Sequence, residues 1–170
     1  MSDAIRVGLV GFGYASKTFH APLIGGTPGM ALKAVASSDA DKVHADWPGV
    51  KVMSAPGDLL DDPDIDLVVI ATPNDTHFPL AKAALEAGKH VVVDKPFTVT
   101  LSQARELESL AKHCGRILSV FHNRRWDSDF LTVSALINEG QLGEVCYFES
   151  QVARFRPQVR QRWREQAGPG

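Results

Sequence analysis

The sequence predicts an α/β protein with a mostly parallel sheet covered by helices on both faces. Three observations carry that reading. Apolar runs too continuous for half-exposed strands recur along the first 122 residues. Each is followed by a stretch with helical spacing, the alternation expected of a parallel sheet. Beyond His122 the alternation stops and a second, differently patterned segment begins.

Taken in order, Ile5 to Val10 reads as a buried strand that runs into glycines, and a helix is expected near Ala15 to His20, ending before Pro22. Met30 to Ala36 supplies the second strand. A weak helix signal covers Ala40 to Ala45, and "VKVMS" supplies a short third strand. Asp66 to Ala71 is the next strand. "TPNDTHFPLAKAALEAG" turns into a helix, with Gly88 placed as its C-terminal cap. "HVVV" then forms a strand with no polar alternation. Thr100 and Gln103 make a capping box ahead of a helix whose Leu107, Leu110, Ala111 and Cys114 share one stripe, closed by Gly115. "RILSVF" is the last strand of this part. A helix follows in "DSDFLTVSALINEG", with Asp127 at its start and Gly140 at its end. "GEVCYFESQVARF" is expected to open a second α/β domain with a mostly antiparallel sheet. The expected domains are 1–122 and 123–170, the second incomplete, because one helix and one strand cannot bury a sheet face.

Composition limits the partners. The chain has 170 residues, 44% hydrophobic and 22% charged, with net charge -2, which gives no general attraction for nucleic acid or an acidic membrane. Neither Cys114 nor Cys146 has the neighbours of a zinc or redox motif, so no metal site is expected. No secretory signal and no run long enough to span a bilayer is evident, which makes the cytoplasm the expected compartment. The run Arg154, Arg156, Arg160, Arg162 and Arg164 around Trp163 reads as a charged linker or covering face rather than a nucleic-acid site.

"GFGYAS" follows directly on the first strand. Gly11 permits a tight turn, Gly13 permits close approach of a pyrophosphate, and Ser16 stands where a third glycine is expected. The pattern suits a dinucleotide site of Rossmann-like type, or a structural turn. After the second strand come Ser37 and Ser38, with Lys42 nearby. Two hydroxyls and an ammonium favour the 2′-phosphate of NADP, with NAD still open and Asp39 counting against the preference. Ligands of such sheets sit outside the carboxyl ends of the strands, which puts Thr72, Pro73, Asn74 and His77 on the same rim, although several of them are also competent helix caps. Asp94, Lys95 and Pro96 end the valine strand on that rim. Lys95 either closes a surface turn or stabilises negative charge on a substrate oxygen. His122, Asn123, Arg124 and Arg125 follow the sixth strand and could line a cleft between the domains.

Together "VGFGYASKTFHAPLI", "TPNDTHFPLAKAALEAGKHVVVDKPFT" and "SVFHNRRWDSDF" resemble the glucose–fructose oxidoreductase, inositol 2-dehydrogenase and rhizopine-catabolism family of NAD(P)-dependent oxidoreductases. The resemblance implies a hydride-transferring dehydrogenase acting on a sugar, inositol or related polyol, a homo-oligomer when full-length. It implies that Lys95 is catalytic, and that Gly11, Phe12 and Gly13 carry the pyrophosphate. Thr72, Pro73, Asn74 and His77 would border the nicotinamide, and Asn123 and Arg124 would lie near cofactor or substrate. Within a subgroup of scyllo-inositol and sugar-type NADP dehydrogenases, it places His20 near the crevice. The family's usual Glu–Lys–Pro is Asp94–Lys95–Pro96 here. Its second-domain Asp and acid/base His have no match in these residues. A non-catalytic dinucleotide-binding module, or an inactive fragment, is therefore the alternative.

Overall fold

The computed structural model describes residues 4–155, 157 and 158. Six strands, β1 (Ile5–Val10), β2 (Met30–Ala36), β3 (Lys51–Met53), β4 (Leu67–Ile70), β5 (His90–Val93) and β6 (Leu118–Val120), form one sheet in the order β3-β2-β1-β4-β5-β6. Every neighbouring pair is parallel. The order reverses between β1 and β4, where a doubly wound sheet opens a crevice at its strand ends. This is a Rossmann fold.

Alternate residues of the strands feed two cores. Val10, Val68, Ile70, Val91 and Val93 pack with α3 (Pro56–Leu60), α4 (Asn74–Glu86) and α5 (Leu101–Cys114). Val7, Leu9, Val35 and Val69 pack on the other face with α1 (Ala21–Gly26) and α2 (Ala40–His44). Burial on both faces is why these strands read as unbroken apolar runs. The capping box forms as expected: Thr100 Oγ1 accepts the Gln103 N–H at 3.3 Å, and Gln103 Oε1 accepts the Thr100 N–H at 3.3 Å. Gly115 ends α5 in the left-handed region at φ 63°.

Three expectations need correction. The first helix does not stop before Pro22; 14–26 is helical throughout. A π turn over Ser16–His20, closed by Ala21 N–H to the Ser16 carbonyl, precedes α1, and Pro22 enters α1 in its first turn. Pro22 follows directly on that wider π turn, where the i→i−4 ladder is already relaxed, so the helix continues past a residue that donates no N–H. The second correction is α3, which sequence reading passed over; its proline again sits in the first helical turn. The third concerns 143–155, expected as a strand. No strand occurs there among the described residues. A strand is stable only as part of a ladder, and β propensity without a paired edge does not make one.

The chain divides into two compact units, the first running to Phe121 and the second beginning at His122. The second unit contains a 3₁₀ turn (Asn123–Trp126) and α6 (Ser128–Asn138), with Trp126, Tyr147 and Phe148 exposed. Arg154 is exposed; Arg156, Arg160, Arg162, Trp163 and Arg164 lie outside the described residues. No helix among the described residues is long and apolar enough to cross a membrane.

Candidate functional site at the strand ends

The carboxyl ends of β1 to β4 surround an open groove of about 230 Å³, lined by Gly11, Phe12, Ser37, Ser38 and Thr72, together with Ser54 and Pro56 after β3. Gly11 has φ 90°, and a Cβ there would stand 2.8 Å from the Ala71 carbonyl oxygen. Only glycine suits that position. Gly13 is different: it is exposed, and a Cβ would meet nothing within 4 Å. Phe12 lines the groove and is buried in the core on that side of the sheet. Ser16 replaces the third glycine by tying the loop: its buried hydroxyl donates to the Gly11 carbonyl at 2.7 Å.

At the end of β2 the Ser37 hydroxyl accepts the Asp39 N–H at 3.1 Å and donates to the Asp39 carbonyl at 3.2 Å. Ser38 is exposed and lines the groove. The Asp39 carboxylate caps α2, accepting the Lys42 N–H at 3.0 Å. Lys42 is exposed on α2 and is not among the residues that line the groove.

At the end of β4 the hydroxyls of Thr72 and Thr76 share a hydrogen bond of 2.6 Å, Pro73 is exposed and Asn74 is buried. His77, expected either to border the nicotinamide or to sit in the first turn of the helix and bind nothing, has both ring nitrogens close to backbone carbonyls. Nδ1 lies 2.8 Å from the Pro96 carbonyl and Nε2 lies 2.9 Å from the Thr72 carbonyl. It therefore joins two strand-end loops.

At the end of β5, Asp94 is buried and Lys95 is exposed, and the Lys95–Pro96 peptide bond is cis. The Lys95 N–H donates to Asp94 Oδ1 at 2.7 Å. Burial alone would push the Asp94 carboxyl up. His20, the Lys95 N–H and the Lys95 ammonium more than offset it, holding that carboxyl below its ordinary value. Asn123 and Arg124 belong to the second unit, where Arg124 Nη1 pairs with Asp127 Oδ2 at 2.8 Å.

The structure thus gathers Gly11, Phe12, Ser37, Ser38 and Thr72 around one groove. Ser54 and Pro56 were missed, although the strand-end rule that found Thr72 applies equally after β3. His20 carried no chemical role in the residue pattern, because its burial beside Asp94 depends on the π turn before it.

Comparison with known proteins gives consistent results. The profile of the Gfo/Idh/MocA family, described as "Oxidoreductase family, NAD-binding Rossmann fold", matches residues 5–122. The Escherichia coli K12 protein YdgJ, named as an uncharacterized oxidoreductase, is 76% identical over 170 residues, 100% of this chain and 49% of its own length. The Bacillus subtilis 168 protein IolW, named as an NADP(+) scyllo-inositol 2-dehydrogenase, is 39% identical over 166 residues, 98% of this chain and 46% of its own. The solved structure of an oxidoreductase from Yersinia pestis superposes with a TM-score of 0.93 at 69% identity, covering 96% of this chain and 47% of that one. The chain spans about half the length of the relatives it matches.

Proposed function

This chain belongs to the Gfo/Idh/MocA oxidoreductase family, and from that premise we propose that it is the cofactor-binding part of an NADP-preferring dehydrogenase acting on a polyol or sugar hydroxyl. The observation that carries the proposal is the Gly11–Gly13 loop at the end of β1. Gly11 makes the turn, and Gly13 leaves its backbone open where a side chain would stand between the loop and a pyrophosphate. These residues fit a dinucleotide. The first turn of the 14–26 helix supplies N–H groups without intrahelical partners, which suits a doubly charged anion.

A bound nicotinamide would supply the hydride acceptor or donor of the reaction, with the Gly11–Gly13 loop holding the dinucleotide. The chain's own contribution is electrostatic and positional. Lys95 is the one residue assigned to the reacting oxygen, where its ammonium steadies developing negative charge. Thr72, Pro73 and Asn74 border the same end of the crevice, and His77 fixes their loop against Pro96. A further, mostly antiparallel sheet domain supplies the acid/base group in this reading. The substrate class follows the inositol dehydrogenase among the relatives.

NADP preference is supported by Ser38 and Lys42, and by an Asp39 carboxylate already engaged at the N-terminus of α2. Fluorescence titration of the native protein with NADPH and NADH tests it. Tighter NADPH binding, narrowed by Lys42→Ala, is expected; equal affinities would remove the preference and leave the dinucleotide site standing. An alternative, a binding module without catalysis, would bind NADPH and show no turnover with any polyol.

A further inference from the structure

The strands β2 and β3 end side by side. Ala36 pairs with Met53 at the last rung of their parallel ladder, and the Ser37 N–H donates to the Met53 carbonyl at 2.9 Å. That bond brings the next residues, Ser38 and Ser54, to adjoining places on the rim, and both line the groove. Their hydroxyls differ from that of Ser37. The Ser37 hydroxyl is engaged twice with the Asp39 backbone, once as donor and once as acceptor, so it braces the strand end. Among the described residues the Ser38 and Ser54 hydroxyls have no protein partner, and both residues are exposed.

No charged side chain is among the residues that line the groove. The Asp39 carboxylate is engaged at the N-terminus of α2, and Lys42 on α2 and Asp58 on α3 are not part of the lining. What a ligand meets on this stretch of the rim is therefore hydroxyl. A hydroxyl can donate to an anionic oxygen, and such a bond is roughly twice as strong as one between neutral groups. Neighbouring strands lie about 4.8 Å apart, a span that lets two hydroxyls take one phosphate between them. Pro56, in the first turn of α3, adds an apolar wall beside Ser54. We propose that Ser54 is a specificity-determining residue, which joins Ser38 in holding the 2′-phosphate of NADP. The inference rests on the dinucleotide reading for the presence of an adenosine ribose at this rim. It adds a second discriminating hydroxyl, contributed by the end of β3.

The test compares ligands that differ by one phosphate. Calorimetry of the native protein with 2′,5′-ADP and 5′-AMP, beside fluorescence titration with NADPH and NADH, measures how much the 2′-phosphate strengthens binding. Ser54→Ala should narrow the preference for 2′,5′-ADP over 5′-AMP roughly fivefold or more, and Ser38→Ala should do the same. Ser54→Thr, which keeps the hydroxyl, should keep the preference. Ser54→Asp, which sets a carboxylate against the phosphate, should reverse it. Melting curves of the variants show that the fold is retained, as expected at exposed positions. An unchanged preference in Ser54→Ala overturns the proposal. Equal losses for both nucleotides also overturn it, because they would place Ser54 against the adenine or the 5′ side. Failure of the native protein to bind either NADPH or NADH defeats the dinucleotide reading and this inference together. Binding of both, with a preference indifferent to Ser54, defeats this inference alone.

Discussion

His77 Nδ1 lies 2.8 Å from the carbonyl oxygen of Pro96, 19 residues further along the chain. At its other nitrogen the same ring meets the Thr72 carbonyl, so one buried side chain ties the β4 rim to the Lys95–Pro96 turn. His77→Phe fills a similar volume and donates nothing. The carbonyl left without its N–H donor should lower stability by about 1–3 kcal/mol, read from urea denaturation. A His77 that served only as a ligand contact would lose NADPH affinity with an unchanged midpoint.

That ring also marks the limit of what the sequence discloses. The sheet was legible because Val7, Leu9, Val68, Val69, Val91 and Val93 are buried on one face or the other, which leaves no polar alternation. The rim was legible too, since strand ends dictate where Gly11, Thr72 and Lys95 must lie. Which atoms meet across the rim was not. His77 and Pro96 are brought together by the parallel pairing of β4 with β5, and His20 reaches Asp94 through a π turn that no residue pattern announces. The segment 143–155 failed for the opposite reason: its alternation states a preference, while a ladder requires a partner edge.

Gly11 and Gly13 should separate folding from binding. Gly11→Ala forces a side chain into the positive-φ region and against the Ala71 carbonyl, and should cost about 1–3 kcal/mol of stability. Gly13→Ala meets no neighbour, so its melting curve should match wild type. Its methyl group would still stand where the pyrophosphate approaches. NADPH affinity should fall roughly tenfold or more, equivalent to about 1.4 kcal/mol. Thermal melts and fluorescence titration of both variants check the contrast, and an unaffected affinity in Gly13→Ala would move the pyrophosphate elsewhere.

Acid should weaken the first unit through Asp66. The Arg6 guanidinium and Arg6 N–H hold its carboxyl at about 2, against an ordinary value of about 4. A carboxyl depressed on folding contributes stability above its unfolded value, and that stability is lost as pH falls through the folded one. The loss should therefore fall between about pH 4 and pH 2. Asp66 is partly exposed, so solvent screening keeps the effect modest. Urea midpoints measured across that range should slope downward in wild type and be flatter in Asp66→Asn.

Lys95 decides the proposed chemistry. It follows a buried strand, stands exposed on the rim, and donates its backbone N–H to Asp94. A lysine serving only as a surface turn would tolerate replacement within about 0.5 kcal/mol and leave turnover alone. A lysine that steadies charge on the reacting oxygen would not. Lys95→Met keeps most of the stem and removes the ammonium, so the fold and NADPH affinity should persist while kcat falls by roughly 10²–10³. The Asp94 carboxylate would also lose its cationic neighbour on that side, while the Lys95 N–H bond to Oδ1 survives because it comes from the backbone. The turn should thus keep its shape, and a loss of rate can be assigned to the missing charge. Steady-state kinetics of the native protein with a saturating polyol, beside a cofactor titration and a melting curve, makes the comparison. Near-wild-type turnover in the methionine variant would return Lys95 to the surface of the turn and assign the reacting oxygen to another group.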